Sequence, residues 1–440
     1  MKRYVYSKLE QWKNAPVGQR KPLILEGARQ VGKTWLAREF GKNEFKSFAE
    51  VNFEISEQLV HLFEANFDID RILLALQAAT GVRIVPGETL LFFDEIQHAR
   101  RGLLSLKYFF EKIPELHVIA AGSLLGVIDH EHDSFPVGKV QFLEMHPLCF
   151  EEFLLAIGKQ ELVKMLHSLD FSTIALFSSE FEDLLRQYYY VGGMPEVVNE
   201  FATTKNYKSV RQKQLEILKS YEHDFSKHPP KEIVQRMQLL WSTVPSQLAK
   251  ENKKFVYTAV RKSARARDFE TAIQWLCSAG MTHKVTRISK GELPLKGFED
   301  ADSFKLYVLD IGLHGAMSGL NASTLTGGNA VFKQYKGAMT EQFVLQELQM
   351  FSDIQIFYWT PDVGTAEMDF VIELEGQVIP IEVKAETNLK AKSIAVFVKQ
   401  NHPEKVIRMS MGNYSDGEVV VDLPLYAVSV LDKVACGGKA

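Results

Sequence analysis

The chain has 440 residues, too many for one ordinary hydrophobic core, so several domains are expected. Its 51 Lys and Arg against 55 Asp and Glu give a formal net charge of −4, which argues against a generally cationic nucleic-acid binder and leaves room only for a local basic patch. Cys149, Cys277 and Cys436 are widely separated and odd in number, and no window is apolar over a membrane-spanning length; the expectation is a soluble protein of the reducing cytoplasm with no membrane partner.

In chain order, Leu23-Ile24-Leu25 predicts a buried strand, and it feeds Gly27-Ala28-Arg29-Gln30-Val31-Gly32-Lys33-Thr34. The spacing G-x-x-x-x-G-K-[ST] is that of a P-loop. It curls the backbone so that successive N–H groups face a phosphate, with glycine where a Cβ would block the approach. Lys33 supplies a charge for the β- and γ-phosphates, and Thr34 a hydroxyl for Mg2+. A helix from Trp35 to Gly41 would add its N-terminal dipole. ATP with Mg2+ is the expected ligand.

Thr89 to Phe93 reads as a parallel strand ending in Asp94-Glu95. Asp94 there can hold the Mg2+ shell and Glu95 can polarise a water; a solvated strand end is the plainer alternative. After a helix from Leu103 to Ile113, a third strand, His117 to Ala121, runs into Gly122-Ser123. Ser123 is expected near the γ-phosphate, or else is a turn serine.

From Phe150 to about His228 the pattern is helical, broken at Val191-Gly192-Gly193-Met194-Pro195, as in a small lid over a nucleotide. Pro229-Pro230 reads as a hinge. Short helices followed by strands at Thr282–Ser289 and Phe304–Leu309 outline a winged helix-turn-helix. Arg261, Lys262, Arg265 and Arg267 stand at the start of a helix from about Ala264 to Ser278, where a recognition helix touches DNA; a solvated or partner-binding surface is the alternative. Asn321 to Asn329 reads as a linker. The expected domains are thus 1–150, 151–230, 231–320 and 321–440.

In the last of these, Glu341 lies in the helical stretch Ala338 to Met350. A strand from Ile354 to Trp359 is followed by Glu367 to Ile372, the turn Glu375-Gly376, and a strand from Val378 to Lys384. Alternation puts Glu382 and Lys384 on one face, and the hairpin brings Asp369 towards Glu382. Two such carboxylates can hold a divalent metal with Lys384 beside a water, the residue set of a metal-dependent phosphodiesterase. Equally, Glu382 and Lys384 can be the wet face of a half-buried strand.

In order along the chain, Gly27 to Thr34, Leu91 to Gln97, Ala121-Gly122-Ser123, Pro147-Leu148, Gly192 to Pro195, Leu306 to Leu313, Met368-Asp369-Phe370 and Ile379 to Lys384 resemble a bacterial and archaeal ATP-binding family. Its members carry an AAA-type P-loop domain followed by a C-terminal region of unknown function. The resemblance implies an α/β multidomain protein: a P-loop NTPase core of the ASCE division, a helical lid, a winged helix and a PD-(D/E)xK, restriction-endonuclease-like domain. It implies that Glu95 is the catalytic glutamate and that Gly193-x-Pro195 is similar to a lid motif that closes on nucleotide. It also matches Glu341, Asp369, Glu382 and Lys384 to the nuclease helix acid, strand acid and E-x-K, with a second divalent metal. One departure is Gly138-Lys139, where relatives carry Gly-Arg; a lysine lacks the planar fork of an arginine sensor.

The expected function is a Mg2+-dependent ATPase that switches its C-terminal domains. An ATPase-regulated DNA nuclease and a nonenzymatic ATP-dependent scaffold binding DNA or protein are the alternatives. Self-association also falls within these readings, with Arg100 and Arg101 placed to serve a neighbouring subunit.

Overall fold

The computed structural model describes residues 2–122, 136–225, 231–250, 253–262, 264–322, 330–351, 354–385 and 392–436. Ser123, the hinge prolines and most of the expected linker lie outside them. The chain forms two compact units, Lys2–His146 with Ser278–Gly280, and Pro147–Cys277 with Met281–Ala440.

The first unit is a parallel sheet with helices. Its elements are α1 (Val5–Asn14), β1 (Leu23–Glu26), α2 (Lys33–Glu44), β2 (Ser47–Asn52), α3 (Ile69–Thr80), β3 (Thr89–Asp94), α4 (Gly102–Lys112), β4 (His117–Ala121) and β5 (Gln141–Glu144). The strand order is β2-β3-β4-β1-β5, and every pairing is parallel. Parallel strands covered on both faces must be apolar throughout, and β3 and β4 are buried at every position. Ile24, Leu91, Phe93, Val118 and Ala120 form the core with Ile72 and Leu76 of α3 and Leu106 and Phe109 of α4. The Asp68 side chain caps α3 by accepting from the Asp70 and Arg71 N–H groups. β4 lies between β1 and β3, so the loop after β1 and the carboxylate ending β3 emerge on one sheet edge.

The second unit opens with six helices: α5 (Phe150–Ala156), α6 (Gln160–Ser168), α7 (Phe171–Leu176), α8 (Ser178–Val191), α9 (Pro195–Thr204) and α10 (Tyr207–Asp224). Then come α11 (Lys231–Leu248), α12 (Tyr257–Val260), α13 (Ala266–Ser278), β6 (Thr282–Ile288), β7 (Glu299–Val308), α14 (Ile311–Met317), α15 (Ala330–Leu348), β8 (Ile356–Trp359), β9 (Met368–Leu374) and β10 (Gln377–Val383). The last elements are α16 (Lys392–Asn401), β11 (Val406–Ser410), β12 (Ser415–Asp416), β13 (Val420–Pro424) and α17 (Leu431–Ala435). One mixed sheet of order β12-β13-β11-β10-β9-β8-β6-β7 runs through the unit, so the β6–β7 hairpin and the C-terminal strands share a ladder at Thr286↔Phe357.

From Ala338 to Leu348 every residue of α15 is buried, so this stretch carries no amphipathic stripe. Its polar side chains satisfy backbone instead. Gln342 exchanges hydrogen bonds with both backbone groups of Val308 (2.7 and 3.1 Å), and Glu347 accepts from the Phe150 N–H at 2.8 Å.

Candidate functional site

In the first unit, the chain leaves β1 through Gly27 at φ +129°, a conformation L side chains rarely adopt, and a Cβ there would run into the Met145 carbonyl. Gln30 at +65° and Gly32 at +98° complete the curl, and α2 begins at Lys33. Ala28 and Val31 are buried beneath the loop. Lys33 is 8% exposed, and its ammonium donates to the Gly27 and Ala28 carbonyls at 2.7 and 2.8 Å. Burial pulls its pKa down to about 8 against the raising pull of Glu95 and Asp94, and Arg29 adds to the lowering.

The Thr34 hydroxyl lies 3.1 and 3.2 Å from the two Asp94 oxygens, so the expected Mg2+ ligands meet. Asn52 at the end of β2 donates to Asp94 at 3.2 Å. Burial and the neighbouring Glu95 charge raise the Asp94 carboxyl above the ordinary range, opposed by the Thr34 hydrogen bond. Glu95 sits just past the strand at φ +50°, and the Gln97 amide holds its carboxylate. A left-handed glutamate is a strained position held by its surroundings. Arg38 pairs with Glu50 at 2.6 Å on the neighbouring strand.

The Arg3 guanidinium donates to the Val31 carbonyl at 2.9 Å and the His146 carbonyl at 2.7 Å, tying the P-loop to the chain beyond β5. Nothing in the spacing signals Arg3 or Asn52, and Gln97 is marked only as the end of the Leu91 to Gln97 stretch that carries the resemblance. Lys139 pairs with Glu111 at 3.0 Å, Arg100 with Glu64 at 3.3 Å, and Arg101 lies over the Phe67 ring.

In the second unit, Pro195 opens α9, and the glycines before it enter a buried polar knot. Asp310 accepts from the Gly193 N–H at 2.5 Å and from the Leu313 N–H at 2.9 Å. Gln346 donates to the Tyr188 hydroxyl at 2.8 Å and to Asp310 at 3.3 Å, and accepts from the Ile311 N–H at 2.9 Å. The Leu148 N–H donates to the Gly193 carbonyl at 2.7 Å, and a Cβ on Gly193 would strike the Leu148 carbonyl. Three segments that carry the family resemblance, at Pro147-Leu148, Gly192 to Pro195 and Leu306 to Leu313, therefore meet at one place. Burial raises the Asp310 carboxyl to about 6 even with these donors around it.

Glu341, Asp369, Glu382 and Lys384 also come together in this unit. Asp369 on β9 accepts from the Val383 N–H at 2.7 Å, and Lys384 pairs with Glu382 at 2.5 Å just past the end of β10. Glu382 is 3% exposed and Glu341 4%, so the acids are not on a wet face, while Lys384 keeps 31% side-chain exposure. Two lysines that the sequence does not flag complete the cluster. Lys253 pairs with Glu341 Oε1. Lys305, wholly buried, lies 2.6 Å from Glu367 and 3.7 Å from Glu341 Oε2, which also accepts from the Tyr307 hydroxyl at 3.3 Å. Burial works to raise the Glu341 carboxyl, but Lys253 and Lys305 overcome it and hold it below the ordinary range. Burial, then Glu341 and Glu382, push Asp369 well up.

A divalent metal needs ionised carboxylate oxygens turned towards it. Here both Glu341 oxygens and Glu382 Oε1 face ammonium groups, and Glu382 Oε2 is buried without a hydrogen-bond partner among the described residues. Among the described residues, no group of three or more His, Cys, Asp or Glu is arranged to hold a metal ion. This donor set does not fit a metal as it stands.

Arg261, Lys262, Arg265 and Arg267 are all exposed around the N-terminus of α13, whose opposite face buries Phe269, Ala272, Ile273 and Leu276. No helix among the described residues is long and apolar enough to cross a membrane.

Residues 19–154 match the family profile of an AAA domain, and two domains of unknown function match at residues 182–324 (DUF8612) and 336–427 (DUF4143). A comparison with curated proteins found no match. Among solved structures, the Walker-type ATPase PABY2304 of Pyrococcus abyssi is similar at 14% identity, with 71% of this chain and 94% of that one covered and a TM-score of 0.42. The Thermotoga maritima RuvB Holliday junction branch migration motor is similar at 14% identity, covering 63% and 88%, with a TM-score of 0.29. AMPPCP-bound DnaA from Aquifex aeolicus is similar at 15%, covering 61% and 86%, with a TM-score of 0.27. The profile match and the cradle at Gly27–Thr34 agree: the chain carries an AAA-type P-loop ATPase domain, a type that binds nucleotide, usually with Mg2+.

Proposed function

We propose that the protein is a Mg2+-dependent ATPase whose nucleotide state governs its C-terminal regions. The observation that carries this reading is the convergence of Lys33, Thr34, Asp94 and Glu95 at one sheet edge. The open curl from Gly27 to Gly32 would take the β-phosphate on its N–H groups. Lys33 would exchange its two carbonyl partners for phosphate oxygens, and Thr34 with Asp94 would hold Mg2+. The metal, when bound, withdraws charge from the phosphate oxygens. Glu95, placed by its turn and by Gln97, would accept a proton from the attacking water. Ser123 is proposed as a contact of the γ-phosphate or attacking water, and Pro195 as part of a lid motif that closes on nucleotide.

In this reading residues 1–150 are the ATPase core, 151–230 a lid, 231–320 a winged helix and 321–440 a nuclease-like domain, in a cytoplasmic protein. The test is nucleotide binding and steady turnover in two variants. Lys33→Ala is expected to lose ATP binding, and Glu95→Gln to keep binding and lose turnover. Equal turnover in wild type and Glu95→Gln would remove Glu95 from the mechanism.

A second reading, a metal-dependent DNA nuclease regulated by the ATPase, draws on the convergence of Glu341, Asp369, Glu382 and Lys384 and on the exposed Arg261, Lys262, Arg265 and Arg267 as DNA contacts. Plasmid DNA nicked with Mg2+ or Mn2+ by wild type, and spared by Asp369→Ala, is its expected result; unchanged plasmid with wild type rejects it.

A further inference from the structure

We infer that Lys253 is an internal cation that takes the place of a divalent metal in the carboxylate cluster and keeps metal out of it. The inference rests on the nuclease-like arrangement of Glu341, Asp369, Glu382 and Lys384 and departs from the second reading, in which the wild-type cluster binds metal: it says why the set is closed and what opens it.

Charge and lone pairs both bear on whether a metal can enter. Four carboxylates, Glu341, Glu367, Asp369 and Glu382, stand with three ammonium groups, Lys253, Lys305 and Lys384. With all four carboxylates ionised, as metal binding requires, the formal balance is one negative charge, which is too little for a divalent ion, and Lys253 is the difference between one and two. It also takes the oxygen that matters. Glu341 Oε2 is engaged by Tyr307 and Lys305, and Asp369 Oδ2 by the Val383 N–H. Glu341 Oε1 is therefore the helix acid's free ligand position, and Lys253 Nζ sits on it.

The three lysines differ in how firmly they are fixed. Lys305 is wholly enclosed in β7 between two glutamates, and Lys384 follows directly on the strand that carries its partner. Lys253 comes from the stretch between α11 and α12, outside the sheet, and retains 13% side-chain exposure. It is the ammonium that can leave without unmaking a strand. Its departure would give a carboxylate set one unit more negative, with Glu341 Oε1 turned inward, the arrangement a hard divalent cation selects.

The test is Mn2+ binding to the full-length protein without nucleotide, read by loss of the free-ion electron paramagnetic resonance signal, with a thermal melt as the control for folding. Wild type is expected to show no Mn2+ site that Glu382→Gln removes. Lys253→Met should gain one, at least about tenfold tighter than any wild-type site, and lose it in the Lys253→Met/Glu382→Gln double variant. Lys253→Arg should stay closed. A Glu382-dependent site in wild type overturns the inference, as does a folded Lys253→Met protein that gains none. If Lys253→Met does not fold, the comparison of wild type with Glu382→Gln still decides it. Plasmid nicking by Lys253→Met is read separately: Mn2+ bound with DNA intact sinks the nuclease reading and leaves the lysine's role standing.

Discussion

At the P-loop, Lys33 donates to two backbone carbonyls while Asp94 and Glu95 are held by a hydroxyl and by amides; in the C-terminal cluster Lys253, Lys305 and Lys384 each sit on a carboxylate. Both regions bury ammonium groups near acids, and burial acts on both in the same direction. The outcomes differ. Lys33 falls to about 8 because carbonyls compensate its desolvation poorly, whereas Lys305 rises well above its ordinary value because Tyr307, Glu341 and Glu367 outweigh the same cost. An ammonium kept poorly compensated is ready to take a phosphate; one saturated by carboxylates is a fastening.

The largest effect that separates the two is on stability. Lys305→Met takes the ammonium from the buried Glu341 Oε2 and from Glu367, whose side chain is 29% exposed, and is expected to cost about 3–5 kcal/mol. Lys33→Ala frees two carbonyls at a loop and should cost no more than about 1 kcal/mol while nucleotide binding disappears. Urea unfolding of both variants checks the pair. A Lys305→Met protein within about 1 kcal/mol of wild type would show that the C-terminal cluster is no more fastened than the P-loop.

The same contrast explains what the sequence made legible. The P-loop, β3 with its acidic end and β4 follow from local spacing and apolar runs, because a phosphate cradle is built within eight consecutive residues. Glu382 and Lys384 were placed on one face by alternation, and the hairpin brought Asp369 to them. Lys253 and Lys305 were invisible because their partners lie 88 and 62 residues away in the chain. A lone charge inside the apolar run Phe304 to Leu309 was the one available hint. The linker expected after 320 says nothing of the ladder between β6 and β8, which periodicity cannot reveal. Pairing between distant strands is a tertiary fact.

A second test concerns the knot around Gly193. Its Cβ would meet the Leu148 carbonyl, backbone that cannot swing aside as a side chain does. Gly193→Ala should destabilise the second unit by about 3 kcal/mol. Chemical unfolding followed by a fluorophore in that unit measures it. Retained ATP affinity would keep the effect out of the P-loop; lost affinity in a folded variant would instead favour a direct nucleotide role for the Gly192 to Pro195 segment.

Asp310 gives the knot a pH signature. Its folded value of about 6 lies above the ordinary 3.8, so the folded state holds a proton the unfolded state has released. Stability from this group is fully present below about pH 4 and is lost as pH rises through 6, a change on the order of 2–3 kcal/mol. Asp310→Asn should flatten the stability profile across that window. A wild-type profile that rises with pH there, or one that Asp310→Asn leaves unchanged, would mean that the Gly193 and Leu313 N–H groups already hold the carboxylate ionised.

The smallest effect falls on the phosphate side of the comparison. Arg3 grips the Val31 and His146 carbonyls, and neither contact touches the expected phosphate path. Arg3→Met removes two hydrogen bonds of about 1 kcal/mol each, part of which the loop recovers by relaxing. A loop that must be curled before phosphate binds pays that loss in affinity, so KM for ATP should rise about three- to tenfold with kcat little changed. Arg3→Lys, which can reach one carbonyl at a time, should recover part of it. A fall in kcat at unchanged KM would place Arg3's influence on the attacking side, with Glu95, and the P-loop would then owe its shape to its own glycines alone.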